Sequence, residues 1–212
     1  MNRNYQKELD RLIQRQGDRR PRVLLHACCG VCSGAVLEYL TRYFDVTLLW
    51  YNPNLYPEEE FRRRFEALEE IVAKMGLAER VKLLAEPWRH EEYEGRVVGL
   101  EREPEGGARC TECFRLRLEE TARVAAERGF DYFCTTLTLS RHKDERRINR
   151  LGEELGKALG VTWLPSDFKK QGREMRSTEL AEFYGIYRQL YCGCRYSLQK
   201  REGKDSPAPS AD

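Results

Sequence analysis

The chain predicts an α/β domain built on a doubly wound, parallel, five-stranded sheet, and two observations carry that expectation. Strand and helix signals alternate along most of its 212 residues. The strand segments are short, continuous apolar runs such as Val23-Leu24-Leu25, the pattern of strands covered by helices on both faces. No internal repeat is present.

Residues 1–20 read as an N-terminal helical extension. Its polar helix over 4–16 gathers Tyr5, Leu9, Leu12 and Ile13 on one face. A first strand over 22–26 runs straight into His26-Ala27-Cys28-Cys29-Gly30-Val31-Cys32-Ser33. Ser33 or a neighbour is expected to cap the helix that follows, to about residue 43. A second strand over 45–51 closes on Asn52-Pro53-Asn54. Pro57 and the acids Glu58, Glu59 and Glu60 suit the first turn of a helix reaching about Met75, with Gly76 as its stop. A third strand covers 81–84. A weak helix over 87–100 and a Pro/Gly-rich loop over 101–108 lead to a helix over 110–128, ended by Gly129. The fourth strand spans 130–136, a helix 144–159 stops at Gly160, and the fifth strand spans 161–164. The rest is helical or irregular up to Tyr191-Cys192-Gly193-Cys194. Residues 203–212 carry Ser, Pro and Asp with little to bury and read as a disordered tail. Residues 21–202 are therefore expected to form a single α/β catalytic domain.

Net charge is only +2, so composition alone does not demand a nucleic-acid partner. No apolar run is long enough to span a bilayer, and the first twenty residues lack the apolar stretch of a signal peptide. A cytoplasmic protein without a membrane partner is the expectation. Eight cysteines in that reducing compartment point to metal binding or redox chemistry rather than structural disulfides.

Cys28, Cys29 and Cys32 form Cys-Cys-x-x-Cys directly after the first strand, and Cys110 and Cys113 form Cys-x-x-Cys beside a helix start. Open parallel sheets bind ligands beyond the carboxyl ends of their strands, which is where the first group falls. Four thiolates suit zinc or an iron–sulfur cluster, and spacing leaves both open. Adjacent cysteines diverge, which favours the larger cluster slightly. Cys192-Gly193-Cys194 can close a small, strained and easily reduced disulfide, or supply two more ligands or two inert thiols. Cys134, inside the fourth strand, reads as a small apolar core residue.

Taken in order, the motifs around His26 to Ser33, Tyr51-Asn52-Pro53-Asn54, Cys110-x-x-Cys113, Thr135-Thr136-Leu137 with His142-Lys143, and Tyr191-Cys192-Gly193-Cys194 resemble the epoxyqueuosine reductases of the QueH type. The resemblance covers about residues 22–197. Val31 stands where the family often has Pro, and residues 4–20 and those after Arg201 look like additions to the shared core. The resemblance implies a PP-loop-like (HUP-like) doubly wound fold and reduction of epoxyqueuosine to queuosine at the tRNA wobble position. It implies a [4Fe–4S] cluster on Cys28, Cys29, Cys110 and Cys113, an adjacent mononuclear iron, and Cys192 and Cys194 as the redox-active pair. The partners implied are tRNA carrying epoxyqueuosine and an electron donor that the sequence does not identify.

Several residues are candidates for the remaining chemistry, each beside a plainer account. Cys32 is a candidate ligand of the second iron, or a thiol at a helix start. Asp167 lies at the carboxyl edge, or caps a helix. His26 and His142 are candidate proton donors, with His26 equally suited to packing at a strand end. Lys143 could meet an anion, or be an ordinary solvated lysine. Basic runs at Arg62-Arg63-Arg64, Arg146-Arg147 with Arg150, and Lys169-Lys170 with Arg173 and Arg176 could grip RNA phosphates, though such runs are commonly solvated helix faces with acidic partners. Tyr51, Trp88 and Tyr191 could stack on a base, or pack in the core. Two other functions compete: a zinc-stabilised RNA-binding module, and an ATP-dependent tRNA-modifying enzyme on the same fold. The second is weakened because cysteines replace a Ser-Gly-Gly-x-Asp-Ser loop after the first strand.

Overall fold

In the computed structural model, which describes residues 3–203, five strands pair in the order β3-β2-β1-β4-β5, all parallel. They are β1 (Arg22–His26), β2 (Asp45–Trp50), β3 (Lys82–Ala85), β4 (Tyr132–Thr135) and β5 (Thr162–Trp163). The chain winds outward from β1 to β3, then returns to the other side of β1 for β4 and β5. The order reverses beside β1, and His26 at its end pairs with Leu49 on one side and Thr135 on the other. A crevice at the carboxyl ends of β1 and β4 follows from that reversal. Leu24 and Leu25 are fully buried. Burial from both faces is why these strands read as unbroken apolar runs, at about 1.5–3 kcal/mol per large side chain.

The helices are α1 (Tyr5–Gln16), α2 (Gly30–Leu40), α3 (Glu58–Lys74), α4 (His90–Arg96), α5 (Ala108–Glu127), α6 (Glu145–Leu159), α7 (Arg173–Phe183) and α8 (Arg195–Arg201). α1 starts on an Asn4 side-chain cap and buries Leu9 in the core. Gln6 ties it to Tyr39 on α2 and to Arg173 on α7. α2 is capped not by Ser33 but by its neighbour Cys29, whose sulfur accepts from the Cys32 N–H at 3.2 Å. The Ser33 hydroxyl sits one turn too late to cap and donates back to the Cys29 carbonyl at 2.7 Å.

Other boundaries shift as well. α5 begins at Ala108, so Cys110 and Cys113 both lie in its first turns, three residues apart on one face. α4 is confined to His90–Arg96. Beyond Thr135 the chain leaves the sheet in a 3-10 turn, Thr136–Leu139, and Thr136 faces the cysteines instead of a strand neighbour. β5 shrinks to two residues. Among the described residues no helix is long and apolar enough to cross a membrane. The tail expected over 203–212 lies, past Gly203, outside the described residues.

Candidate active site

β1 delivers Cys28 and Cys29 to the crevice, and the first turn of α2 adds Cys32. The sulfurs of these three all lie within 4.8 Å of one another, a set that could hold a metal ion. Cys28 and Cys29 are 3.9 Å apart. Gly30 makes this turn possible, because a Cβ there would stand 2.4 Å from the Ala67 carbonyl oxygen of α3. Thr136 accepts the Cys28 N–H at 3.0 Å and donates to its sulfur at 3.2 Å. Gln189 donates to the Cys29 sulfur at 3.1 Å. The trio is electrically uneven. Hydrogen bonds from Cys29 and Cys32 hold Cys28 well below the usual thiol range, helped by the charge of Lys143 and the Thr136 hydroxyl. Burial, then Cys28 itself, pushes Cys29 up to about 12. Cys28 is the natural thiolate, and its neighbours donate to it.

α5 brings Cys110 and Cys113 to a second wall. Gly106 N–H donates to the Cys110 sulfur at 3.2 Å, and an Arg117 N–H donates to the Cys113 sulfur, also at 3.2 Å. Burial raises both thiols, Cys113 to about 12. The Cys-Gly-Cys segment forms a third wall. Cys192 is exposed, Cys194 half-buried, and both are free thiols, as are the other six. Buried Arg64, paired with Glu60 at 2.7 Å, donates to the Cys192 and Tyr191 carbonyls at 3.1 Å each, while Tyr56 N–H donates to Gly193 O at 2.8 Å. Cys32, Cys110, Cys113, Cys192 and Cys194 together line one cavity of about 880 Å³. That volume suits a nucleoside-sized ligand. Cys28 and Cys29 are buried and do not line the cavity, and the Cys110–Cys113 pair lies outside the close group of three sulfurs.

The remaining candidates sort clearly. His26 is fully buried between Thr135 Oγ1 at 2.8 Å and the Tyr51 carbonyl at 3.1 Å. A carbonyl only accepts, so Nε2 carries the proton and Nδ1 accepts from Thr135. Burial, then the charge of Arg117, lowers its pKa to about 4, and the ring is a neutral packing residue. His142 and Lys143 line the cavity. The Lys143 ammonium has no ion-pair partner among the described residues; burial disfavours its charge, and the charges of Cys192, Cys28 and Cys32 outweigh that and raise its pKa. Asp167 is buried against Lys169 at 3.1 Å and caps nothing. Cys134 is fully buried in the core.

Most of the basic runs have partners in the fold. Arg62 pairs with Glu58, Arg63 lies over the Tyr187 ring, Lys169 pairs with Glu145, and Arg176 pairs with Glu38. Arg147 donates to Gly106 O and Thr111, bracing the loop before Cys110. Tyr51 is buried with its hydroxyl on Glu92, and Trp88 donates to Leu55 O and stacks on His90. Only Tyr191 of the three aromatics lines the cavity, its hydroxyl donating to Tyr56 O at 2.5 Å. The sequence named Thr136 only within a motif and Arg64 only within a basic run, singled out neither Gln189 nor Arg117, and foresaw the contact of none of the four with the cysteine segments. Their partners are distant in sequence or, for Arg117, one turn away on a helix. Only the last left a local signal, a cation four residues after Cys113.

Three comparisons bear on this arrangement. The model of the family described as "Epoxyqueuosine reductase QueH" matches residues 23–200. The epoxyqueuosine reductase QueH of Streptococcus pyogenes is 42% identical over 97% of this chain and 83% of its own. Those of Staphylococcus epidermidis and Thermotoga maritima are 41% and 33% identical, over 93% and 86% of this chain and 86% and 93% of their own. Among solved structures, the NMN synthetase of Francisella tularensis superposes over 98% of this chain and 90% of its own, with a TM-score of 0.44 and 12% identity.

Proposed function

The chain belongs to the epoxyqueuosine reductase QueH family of oxidoreductases, and on that premise we propose that it reduces epoxyqueuosine to queuosine at the wobble position of tRNA. One observation carries the reading of the site. Three stretches far apart in sequence, around residues 28–32, 110–113 and 192–194, place their cysteines at the carboxyl edge of one parallel sheet, five of them on a single nucleoside-sized cavity. Structural cysteines have no reason to converge on an open cavity at the position where such sheets hold ligands.

Removing the epoxide oxygen to leave an alkene consumes two electrons and two protons and releases water. Cys192 and Cys194 supply both when their thiols close to a disulfide, which yields two electrons and two protons; an external donor then reopens it. The exposure of Cys192 and the three backbone hydrogen bonds on Tyr191, Cys192 and Gly193 suit a pair that must meet substrate and donor in turn. Cys28, Cys29, Cys110 and Cys113 would hold a [4Fe–4S] cluster, with Cys32 beside it for an adjacent iron. Bound there, the metal–sulfur centre would supply electron transfer and Lewis acidity toward the epoxide oxygen. Lys143 lines the cavity without an ion-pair partner among the described residues and would bind an anionic oxygen there.

A second reading rests on the close group of three. Two thiolates on one tetrahedral ion at about 2.3 Å sit about 3.8 Å apart, near the 3.9 Å between Cys28 and Cys29. That spacing suits a single ion such as zinc on Cys28, Cys29 and Cys32. Anaerobic purification with iron, sulfide and zinc counted per chain separates the two. Iron and sulfide are expected, whereas zinc without sulfide would sink the cluster. Conversion of an epoxyqueuosine-containing anticodon stem-loop is the activity test. Cys192→Ser is expected to abolish turnover with metal content near that of the parent, and loss of metal would make Cys192 a ligand.

A further inference from the structure

Four arginines among the described residues are nearly inaccessible to solvent: Arg64, Arg109, Arg117 and Arg173. A guanidinium stays charged in folded proteins, so each needs an answering anion or dipole. Arg64 has Glu60. Arg109 donates to the Leu100 and Glu101 carbonyls and lies over the Tyr196 ring. Arg173 donates to Phe168 O and to the side-chain oxygens of Gln171 and Gln6. Arg117 alone of the four spends a guanidinium N–H on sulfur. Its Nη2 is 3.2 Å from Cys113 Sγ and its Nε donates to the Cys113 carbonyl at 3.0 Å.

No carboxylate lies within ion-pair reach of Arg117 among the described residues, and the side chain lines the cysteine cavity. The anion that this cation answers is therefore sulfur. A packing role would be served as well by a Met or Leu of similar length, without the cost of a buried charge.

Resting on the reading of these cysteines as cluster ligands, we infer that Arg117 tunes the metal–sulfur centre through Cys113. Its charge and its N–H···S contact stabilise the extra negative charge of the reduced centre and so raise the reduction potential. Net charge and hydrogen bonds to ligand sulfurs are the levers by which proteins set such potentials. Arg117 is a positioning residue in this account. It touches a ligand and not the substrate.

The test is a mediated redox titration, with dithionite as reductant, of the parent, Arg117→Lys and Arg117→Gln, each purified anaerobically with iron and sulfide counted. The midpoint potential is expected to fall from the parent to the Gln variant. A Lys variant at an intermediate potential, or at the parental one with Gln still lowered, supports the inference and divides it between hydrogen bond and charge. Loss of the cluster from Gln alone, with a lowered potential in Lys, supports it too. An unchanged or raised potential in a fully loaded Gln variant overturns it. So does loss of the cluster from both variants, because the charge retained in Lys would then count for nothing. Parent protein holding zinc without sulfide would fail the underlying reading, a result seen before any variant is made.

Discussion

Gly193 shows how much of the Cys192–Cys194 segment is set by one residue. Its φ is +126°, and a Cβ added there would meet Leu55 Cδ2 at 2.4 Å and Arg64 Nη1 at 2.9 Å. An L-residue would pay for the backbone conformation and would push on the guanidinium that holds the Tyr191 and Cys192 carbonyls. Gly193→Ala is expected to cost on the order of 2–4 kcal/mol in denaturant unfolding, as strain and overpacking add. The exposed Cys192 is expected to react faster with an alkylating reagent once its loop is displaced. Parental stability and parental labelling together would show that the segment is not held this way. The Cys-Gly-Cys motif was legible, with its glycine in place. The reason for it was not, because Arg64 stands in a basic run that reads as a solvated helix face, yet its side chain is buried beneath a loop more than a hundred residues away. Cys28, Cys29 and Cys32 were legible as a group because spacing alone confines them to one turn, whereas the approach of Thr136 and Gln189 to their sulfurs depends on the fold.

Helices are fixed to one another at two glycines whose roles differ. Gly30 begins α2 against the backbone of α3, where a Cβ would lie 2.4 Å from Ala67 O, and backbone cannot swing aside as a side chain can. Gly152 lets α6 settle on β5, where a Cβ would lie 2.2 Å from the Trp163 ring. Alanine at either site is expected to cost about 1–3 kcal/mol through overpacking. Only Gly30→Ala is expected to lower the metal bound per chain, because relief there moves the turn that carries Cys29 and Cys32. Thermal unfolding together with metal analysis of both variants checks this, and equal metal loss in Gly152→Ala would mean the site responds to stability in general. The alternation of elements was readable because parallel strands covered on both faces leave unbroken apolar runs. The ends were less so. The pattern over 130–136 continues past Thr135, but Thr136 is drawn out of the sheet by its two hydrogen bonds to Cys28.

At the scale of the molecule, the charge pattern separates what holds the fold from what could hold RNA. A net charge of +2 leaves little general attraction for a polyanion, so any grip on tRNA must be local. The basic runs conspicuous in the sequence are largely answered inside the chain: Arg62 by Glu58, Arg64 by Glu60, Lys169 by Glu145 and Arg176 by Glu38. Arg188 and the adjacent Lys200-Arg201 lie outside those runs, yet they are exposed on the wall of the cysteine cavity and form no ion pair among the described residues. Phosphates flanking a nucleotide drawn into that cavity would meet these three first. Replacing all three by alanine is expected to weaken binding of the anticodon stem-loop and to reduce the slope of log K against log salt by up to about 2, since each lost contact to single-stranded backbone removes about 0.7. Arg62→Ala with Arg176→Ala is expected to leave that slope unchanged, because those charges are already spent on carboxylates. Fluorescence anisotropy across a salt series reads both variants directly. A slope preserved in the triple variant and lost in the double one would move the RNA-binding face from the cavity rim to the outer helices.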